Sequence, residues 1–162
     1  MDTPAQNGHA ERAGRTLITV ARAIRVYAGL PSNLWSETVR TAGYLLNRLP
    51  TRGLGWRTPY QVLLGKKPDL SHLFIIGCKA YSLNHGIPRK DKLAPRASIG
   101  YLVGYDSTNI YRIWDPARGV VFRTRDVTFD ELTLYSGRGV APVLVDEPTM
   151  IPEIVEQPSQ DR

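Results

Sequence analysis

Over residues 9–29 apolar side chains return at three- and four-residue steps, at Leu17, Val20, Ala21, Ile24 and Ala28. That spacing predicts a helix with one buried stripe. Gly29 supplies a C-terminal stop and Pro31 follows it, as expected past a helix end. A second helix is predicted over 33–48, with Ser32 or Asn33 as its cap. Its stripe is Leu34, Trp35, Val39, Ala42, Leu45 and Leu46, and Pro50 closes it. A third, short helix starts at Thr58-Pro59, a capping side chain followed by proline at the first helical position, and ends at Gly65. After Lys66-Lys67-Pro68 the period changes. Segments 73–76, 78–83, 98–104, 110–114, 119–124 and 126–129 are short, rich in Ile, Val, Tyr, Phe and Thr, and divided by Gly, Pro, Asn and Asp. This predicts consecutive antiparallel strands of a small barrel or sandwich. The longest gap between strands is 86–97. From about Ser136 periodicity is lost and Pro, Glu, Gln and Ser rise, the composition of a flexible tail. Helices first and strands second predict an α+β chain or two adjoining units.

Composition narrows the classes of function. The 162 residues are 42% apolar, enough for a modest core without disulfides. The single Cys78 can form no intrachain disulfide and excludes a four-cysteine zinc site. No apolar run approaches the ~20 residues that cross a bilayer, and the N-terminus lacks the apolar core of a secretory signal. A nuclear or cytoplasmic, non-secreted protein is the expectation. The net charge is +6 and the pI near 9.7. Residues 1–131 hold 19 basic and 10 acidic side chains, a net of +9, whereas 132–162 hold 2 and 5, a net of −3. The body is therefore basic and attracts polyanions, and the tail is weakly acidic.

Each helical residue turns the side-chain direction by about 100°. On the first helix Arg12, Arg15, Arg22 and Arg25 then share a sector of roughly 140°, opposite the Leu17/Ile24 stripe. Glu11 falls in the same sector, one turn before Arg15. Four arginines and one acid form a phosphate-facing pattern rather than an evenly solvated face. A second basic cluster, Arg89, Lys90, Lys92 and Arg96, lies in the long gap between strands. His9, His72, His85 and Cys78 have no zinc-ligand spacing. Cys78 reads as a small buried strand residue, His72 as structural, and Trp35 and Trp56 as packing within the helical part. Tyr101, Tyr105, Tyr111 and Trp114 read either as barrel core or as a base-stacking platform.

A longer ordered series of residues then becomes informative. It runs from Thr3-Pro4-Ala5-Gln6-Asn7-Gly8-His9-Ala10-Glu11-Arg12 and Arg15-Thr16-Leu17 through Gly29-Leu30-Pro31, Leu34-Trp35 and Tyr44-Leu45-Leu46-Asn47-Arg48. It continues with Thr58-Pro59-Tyr60, Gly65-Lys66-Lys67-Pro68-Asp69, His72-Leu73 and Gly77-Cys78-Lys79-Ala80-Tyr81. Gly104-Tyr105, Tyr111-Arg112, Asp115-Pro116 and Arg125-Asp126-Val127 complete it. Over about residues 3–131 this series resembles the end of the integrase catalytic core, and the segment after it, in copia-type (Pseudoviridae) retrotransposon polyproteins.

The resemblance implies an organisation and a site. Residues 1–68 would be the C-terminal helices of an RNase H-like integrase core, 69–132 an SH3-like antiparallel β-barrel, and 133–162 a flexible acidic tail. Glu11 would match the glutamate of an Asp-Asp-Glu triad that holds Mg²⁺ for strand transfer. Both aspartates lie upstream of the matched stretch in the family, so the triad is incomplete here. No catalysis by this chain alone and no cofactor of its own are expected, since two-metal chemistry needs several converging carboxylates. The expected retained property is weak nucleic-acid binding, to DNA or RNA and without strong sequence preference, through Arg12, Arg15, Arg22, Arg25, Arg89, Lys90, Lys92 and Arg96. The rest of an integrase core acting in trans is a further expected partner. An inert transposon relic and a domesticated protein-interaction module remain as alternatives.

Overall fold

The computed structural model describes residues 4–83 and 96–135. Nearly all of the long gap between strands, and the tail from 136, lie outside the described residues. The first helix, α1, spans Pro4–Tyr27 and so begins upstream of residue 9. Its apolar stripe starts only at Leu17, which left its first turns without a periodic marker. Its end is local chemistry: Gly29 takes a left-handed φ of 65°, its amide bonds to the Val26 carbonyl, and the Leu30 amide bonds to the Arg25 carbonyl. These two bonds make a Schellman stop, which favours glycine at that position.

The second helix, α2 (Trp35–Leu46), is entered differently from the expectation. Neither Ser32 nor Asn33 caps it with a side chain. Pro31 is extended and a single 3-10 turn over Ser32–Leu34 leads in, with the Leu34 amide bonded to the Pro31 carbonyl. That turn satisfies backbone groups that a capping side chain would otherwise serve. The third helix, α3 (Pro59–Leu64), agrees with its sequence signals throughout. Thr58 Oγ1 accepts from the Gln61 amide at 2.9 Å, Pro59 stands at the first position, and Gly65 closes with a φ of 71°.

Five strands follow: β1 (Cys78–Leu83), β2 (Ala97–Tyr105), β3 (Tyr111–Asp115), β4 (Val120–Thr124) and β5 (Val127–Leu134). They form one antiparallel sheet in the order β4-β3-β2-β1-β5. The sheet is strongly curled. Tyr111 on β3 and Phe129 on β5 have ring centroids 4.9 Å apart, although three strand spacings, about 14 Å if flat, separate their strands. Phe74 sits beside both rings at this closure.

Two sequence expectations are corrected here. Segment 73–76 is not a strand. It leads directly into β1, whose two sides are already paired with β2 and β5, so it cannot pair with that strand. Its backbone is satisfied by side chains instead: Phe74 exchanges hydrogen bonds with the Tyr105 hydroxyl, and the Ile75 amide donates to Glu131 Oε2. The last strand runs past residue 129 to Leu134, two residues into the stretch assigned to the tail, because the Leu134 side chain is buried in the core.

The helices and the sheet share one core. Ala28, Leu30 and Leu34 pack in the same cluster as Ile76, Cys78, Ala80, Leu102, Val103, Ile113 and Trp114. The contact is close. A Cβ on Gly104 of β2 would lie 2.4 Å from Thr41 Oγ1 of α2, whose hydroxyl donates to the Val103 carbonyl at 2.7 Å. At the rim of this contact Arg112 of β3 grips Glu37 of α2 with two parallel bonds of 2.6 and 2.7 Å. Asp106 lies 3.5 Å from Arg112 and also faces Arg40 and Arg123.

Candidate nucleic-acid interface

Helix α1 turns Leu17, Val20, Ala21, Ile24 and Ala28 inward, and α2 packs along it. The opposite side carries the predicted basic face. Glu11, Arg12, Arg15 and Arg22 are all exposed. Among the described residues the side chains of Arg15 and Arg22 have no hydrogen-bond or ion-pair partner, and no ion pair reaches Glu11. Arg25 differs. It is half-buried, and one of its guanidinium N–H groups donates to the Leu30 carbonyl at 3.3 Å, helping to hold the stop of α1. Of the second basic cluster, Arg96 is exposed immediately before β2. Arg89, Lys90 and Lys92 lie outside the described residues.

Beside this face α1 and α2 leave a groove of about 160 Å³, lined by Ile18, Ala21, Arg22 and Arg25 from α1 and Trp35, Thr38 and Val39 from α2. Trp35 corrects an expectation: it does not pack within the helices but is 62% exposed on the groove. Trp56 is likewise exposed, in the tight turn bridged by Thr51 and Arg57. The buried positions of α2 belong to Thr38, Thr41 and Ala42. Trp35 stands at the first position of α2, at the open end of that buried stripe.

The barrel aromatics resolve the other way. Tyr105 and Trp114 are buried and Tyr101 and Tyr111 half-buried. Tyr101 and Trp114 each pack edge to face on Tyr135, and Tyr105 stacks on Tyr44 at 5.2 Å. Tyr105 and Trp114 are core residues, whereas Tyr101 and Tyr111 pack against the core from its edge and Tyr111 lines an open pocket with Phe74, Asn109, Arg125 and Phe129. Burial raises the Tyr105 hydroxyl above its ordinary range.

His72 is buried, with Nε2 2.7 Å from the Tyr44 hydroxyl and, among the described residues, no partner for Nδ1. Burial, and then the Arg48 guanidinium, hold its pKa below the usual histidine value. Arg48 lies 3.4 Å over the Tyr44 ring. Cys78 is buried on β1, and its thiol is pushed up to about 12 chiefly by desolvation. Among the described residues no three His, Cys, Asp or Glu side chains converge as metal ligands. Glu11 on its exposed helix face is a single carboxylate, and the donors around it do not fit the octahedral oxygen shell of Mg²⁺. Sequence reasoning missed the groove at Trp35 and the Glu37–Arg112 clasp. The exposed indole had a signal, an aromatic at the first position of a helix flanked by arginines of another. The clasp had none, since its partners are 75 residues apart.

The five strands coincide with a known class. Residues 78–141 match the family described as retroviral polymerase SH3-like domain, so the curled sheet is of that SH3-like kind. The whole chain has relatives too. It is 36% identical over 163 aligned residues to the retrovirus-related Pol polyprotein from transposon TNT 1-94 of Nicotiana tabacum, covering 97% of this chain and 12% of that one. It is 32% identical over 130 residues to the corresponding polyprotein from transposon RE2 of Arabidopsis thaliana, covering 80% and 9%. An uncharacterized mitochondrial protein of Arabidopsis thaliana is 30% identical over 105 residues, covering 61% of this chain and 83% of that protein. The chain belongs to the copia-type retrovirus-related Pol polyproteins. It spans about a tenth of the length of the polyproteins it matches. No solved structure matches it.

Proposed function

We propose that this chain binds nucleic acid through the arginine face of α1, without strong sequence preference, as a contribution to DNA integration by a copia-type element. One observation supports the reading above the others: Arg15 and Arg22 stand exposed beside Arg12 and Arg25, opposite the buried stripe of α1. The exposed guanidinium groups of Arg15 and Arg22 suit a phosphate backbone, which they meet as forked donors. Arg96, exposed immediately before β2, adds a cation from the sheet side, and Arg89, Lys90 and Lys92 complete the proposed set of phosphate contacts by their charge alone.

The chain does not transfer strands by itself in this reading. In an intact core Mg²⁺ would supply the charge stabilisation at the attacking and leaving oxygens. Glu11 alone makes no such site, and further carboxylates of an integrase core would have to join it. Purified protein with Mg²⁺ should give no strand transfer on a labelled duplex. Glu11→Gln should be silent in that assay and should bind DNA slightly better, having lost a negative charge from the arginine face.

A salt titration of duplex binding tests the central claim. If about four phosphates are neutralised, the logarithm of affinity falls against the logarithm of salt with a slope near −3.6. Charge reversal at both Arg15 and Arg22 should weaken binding to all sequences alike and flatten that slope. Affinity indifferent to salt between about 50 and 200 mM would reject the reading.

A further inference from the structure

The α1–α2 groove combines three features that the arginine face alone does not use. Its most prominent wall is an indole, Trp35, left 62% exposed at the first position of α2. Ile18 and Val39 extend that apolar wall. Among the described residues its only charged lining side chains are Arg22 and Arg25, and Arg25 is held in place by its bond to the Leu30 carbonyl. The acid nearest in the α2 sequence, Glu37, is committed to Arg112 and does not line the groove. The volume is about 160 Å³, below the roughly 300–1,000 Å³ of sites that enclose whole small molecules. A space of this size takes one planar ring, with whatever is attached to it running out past the arginines.

We infer that the groove is a stacking site for an unpaired nucleobase, with Trp35 against the ring and Arg22 and Arg25 on the flanking phosphates, so that the chain prefers single-stranded to duplex nucleic acid. The inference rests on the nucleic-acid reading above and deepens it. A duplex offers phosphates to the arginine face but keeps its bases stacked inside the helix. A single strand offers the phosphates and a free ring face as well. The uniformly positive lining selects a polyanion over a neutral apolar peptide.

The test uses the full chain carrying Trp56→Phe. This removes the other exposed indole and leaves the emission of Trp35 over that of buried Trp114. Oligo(dT) and a duplex of equal length are titrated in the same buffer. The expected result is quenching of Trp35 emission by oligo(dT) with little by the duplex. Trp35→Ala should weaken oligo(dT) binding by about 5- to 150-fold, while duplex affinity moves by less than about twofold. Trp35→Phe, which keeps a ring, should retain part of the difference and serves if the alanine variant folds poorly. Equal loss on both ligands, or no loss on either, overturns the inference and leaves the groove to a protein partner, while the arginine-face reading stands. Failure of the parent chain to bind either ligand overturns both readings.

Discussion

Replacing Arg112 with Met removes the fork that closes on Glu37 and tests whether helices and sheet are one folding unit. The two side chains are only 13% and 16% exposed, with bonds of 2.6 and 2.7 Å. At an effective dielectric near 20, opposite charges about 4 Å apart attract by about 4 kcal/mol, part of which desolvation offsets. Exposed pairs contribute about 0.2–1 kcal/mol, and breaking a fully buried pair costs about 3–5. This pair lies nearer the buried limit, so Arg112→Met should destabilise the chain by about 2–3 kcal/mol. That corresponds to a melting temperature lower by about 6–9 °C for a chain of this size. Glu37→Gln should cost less, because Arg112 keeps Asp106 at 3.5 Å, whereas Glu37 has no second partner among the described residues. Urea unfolding of the two single variants and the double, at neutral pH, gives a coupling energy. We expect at least about 1 kcal/mol. Following helix ellipticity and Trp114 fluorescence together should give one coincident transition. Additivity within about 0.5 kcal/mol, or separate transitions for helix and sheet, would refute the shared-core argument.

Three further outcomes follow from the packing. Gly104→Ala puts a methyl 2.4 Å from Thr41 Oγ1 and should destabilise by about 1–3 kcal/mol, with a smaller cost in a Thr41→Ala background where that oxygen is gone; equal costs in both backgrounds would remove the clash as the cause. The pKa of His72 is lowered in the folded state, so the unfolded chain binds more protons as pH falls below about 6.5; stability present above that pH should be lost on acidification, by at most about 1.4 kcal/mol per pH unit, and His72→Phe should flatten the profile in urea melts taken from pH 7 to 5. Cys78, with its thiol pushed up to about 12, should resist an aromatic disulfide reagent at pH 8 until the chain unfolds, and labelling at the rate of an exposed cysteine in the native state would contradict its burial.

The elements whose hydrogen bonds close within a few residues were legible in the sequence. The stop of α1 at Gly29 and the Thr58-Pro59 to Gly65 frame of α3 depend on neighbours only, and both stand where glycine, proline and threonine indicated. The arginine face was legible for a similar reason, since helical geometry assigns each residue a direction before any packing occurs. The strands were legible from alternation and turn residues, except where alternation is not the deciding quantity. Leu73–Ile76 is as apolar as a strand, but it leads directly into β1, whose two sides are already paired with β2 and β5. Trp35 is apolar at a helical stripe position, yet it is exposed at the first position of α2, where it lines the groove against α1 while Thr38, Thr41 and Ala42 take the buried places. Which arginines stay available was likewise settled only in three dimensions. Arg25 is drawn to the Leu30 carbonyl and Arg112 to Glu37, while Arg15 and Arg22 stay exposed. Local sequence sets direction and backbone conformation through short-range sterics and hydrogen bonds. Burial, free edges and charge pairing belong to residues far apart in the chain, and the closeness of two packed surfaces decides them.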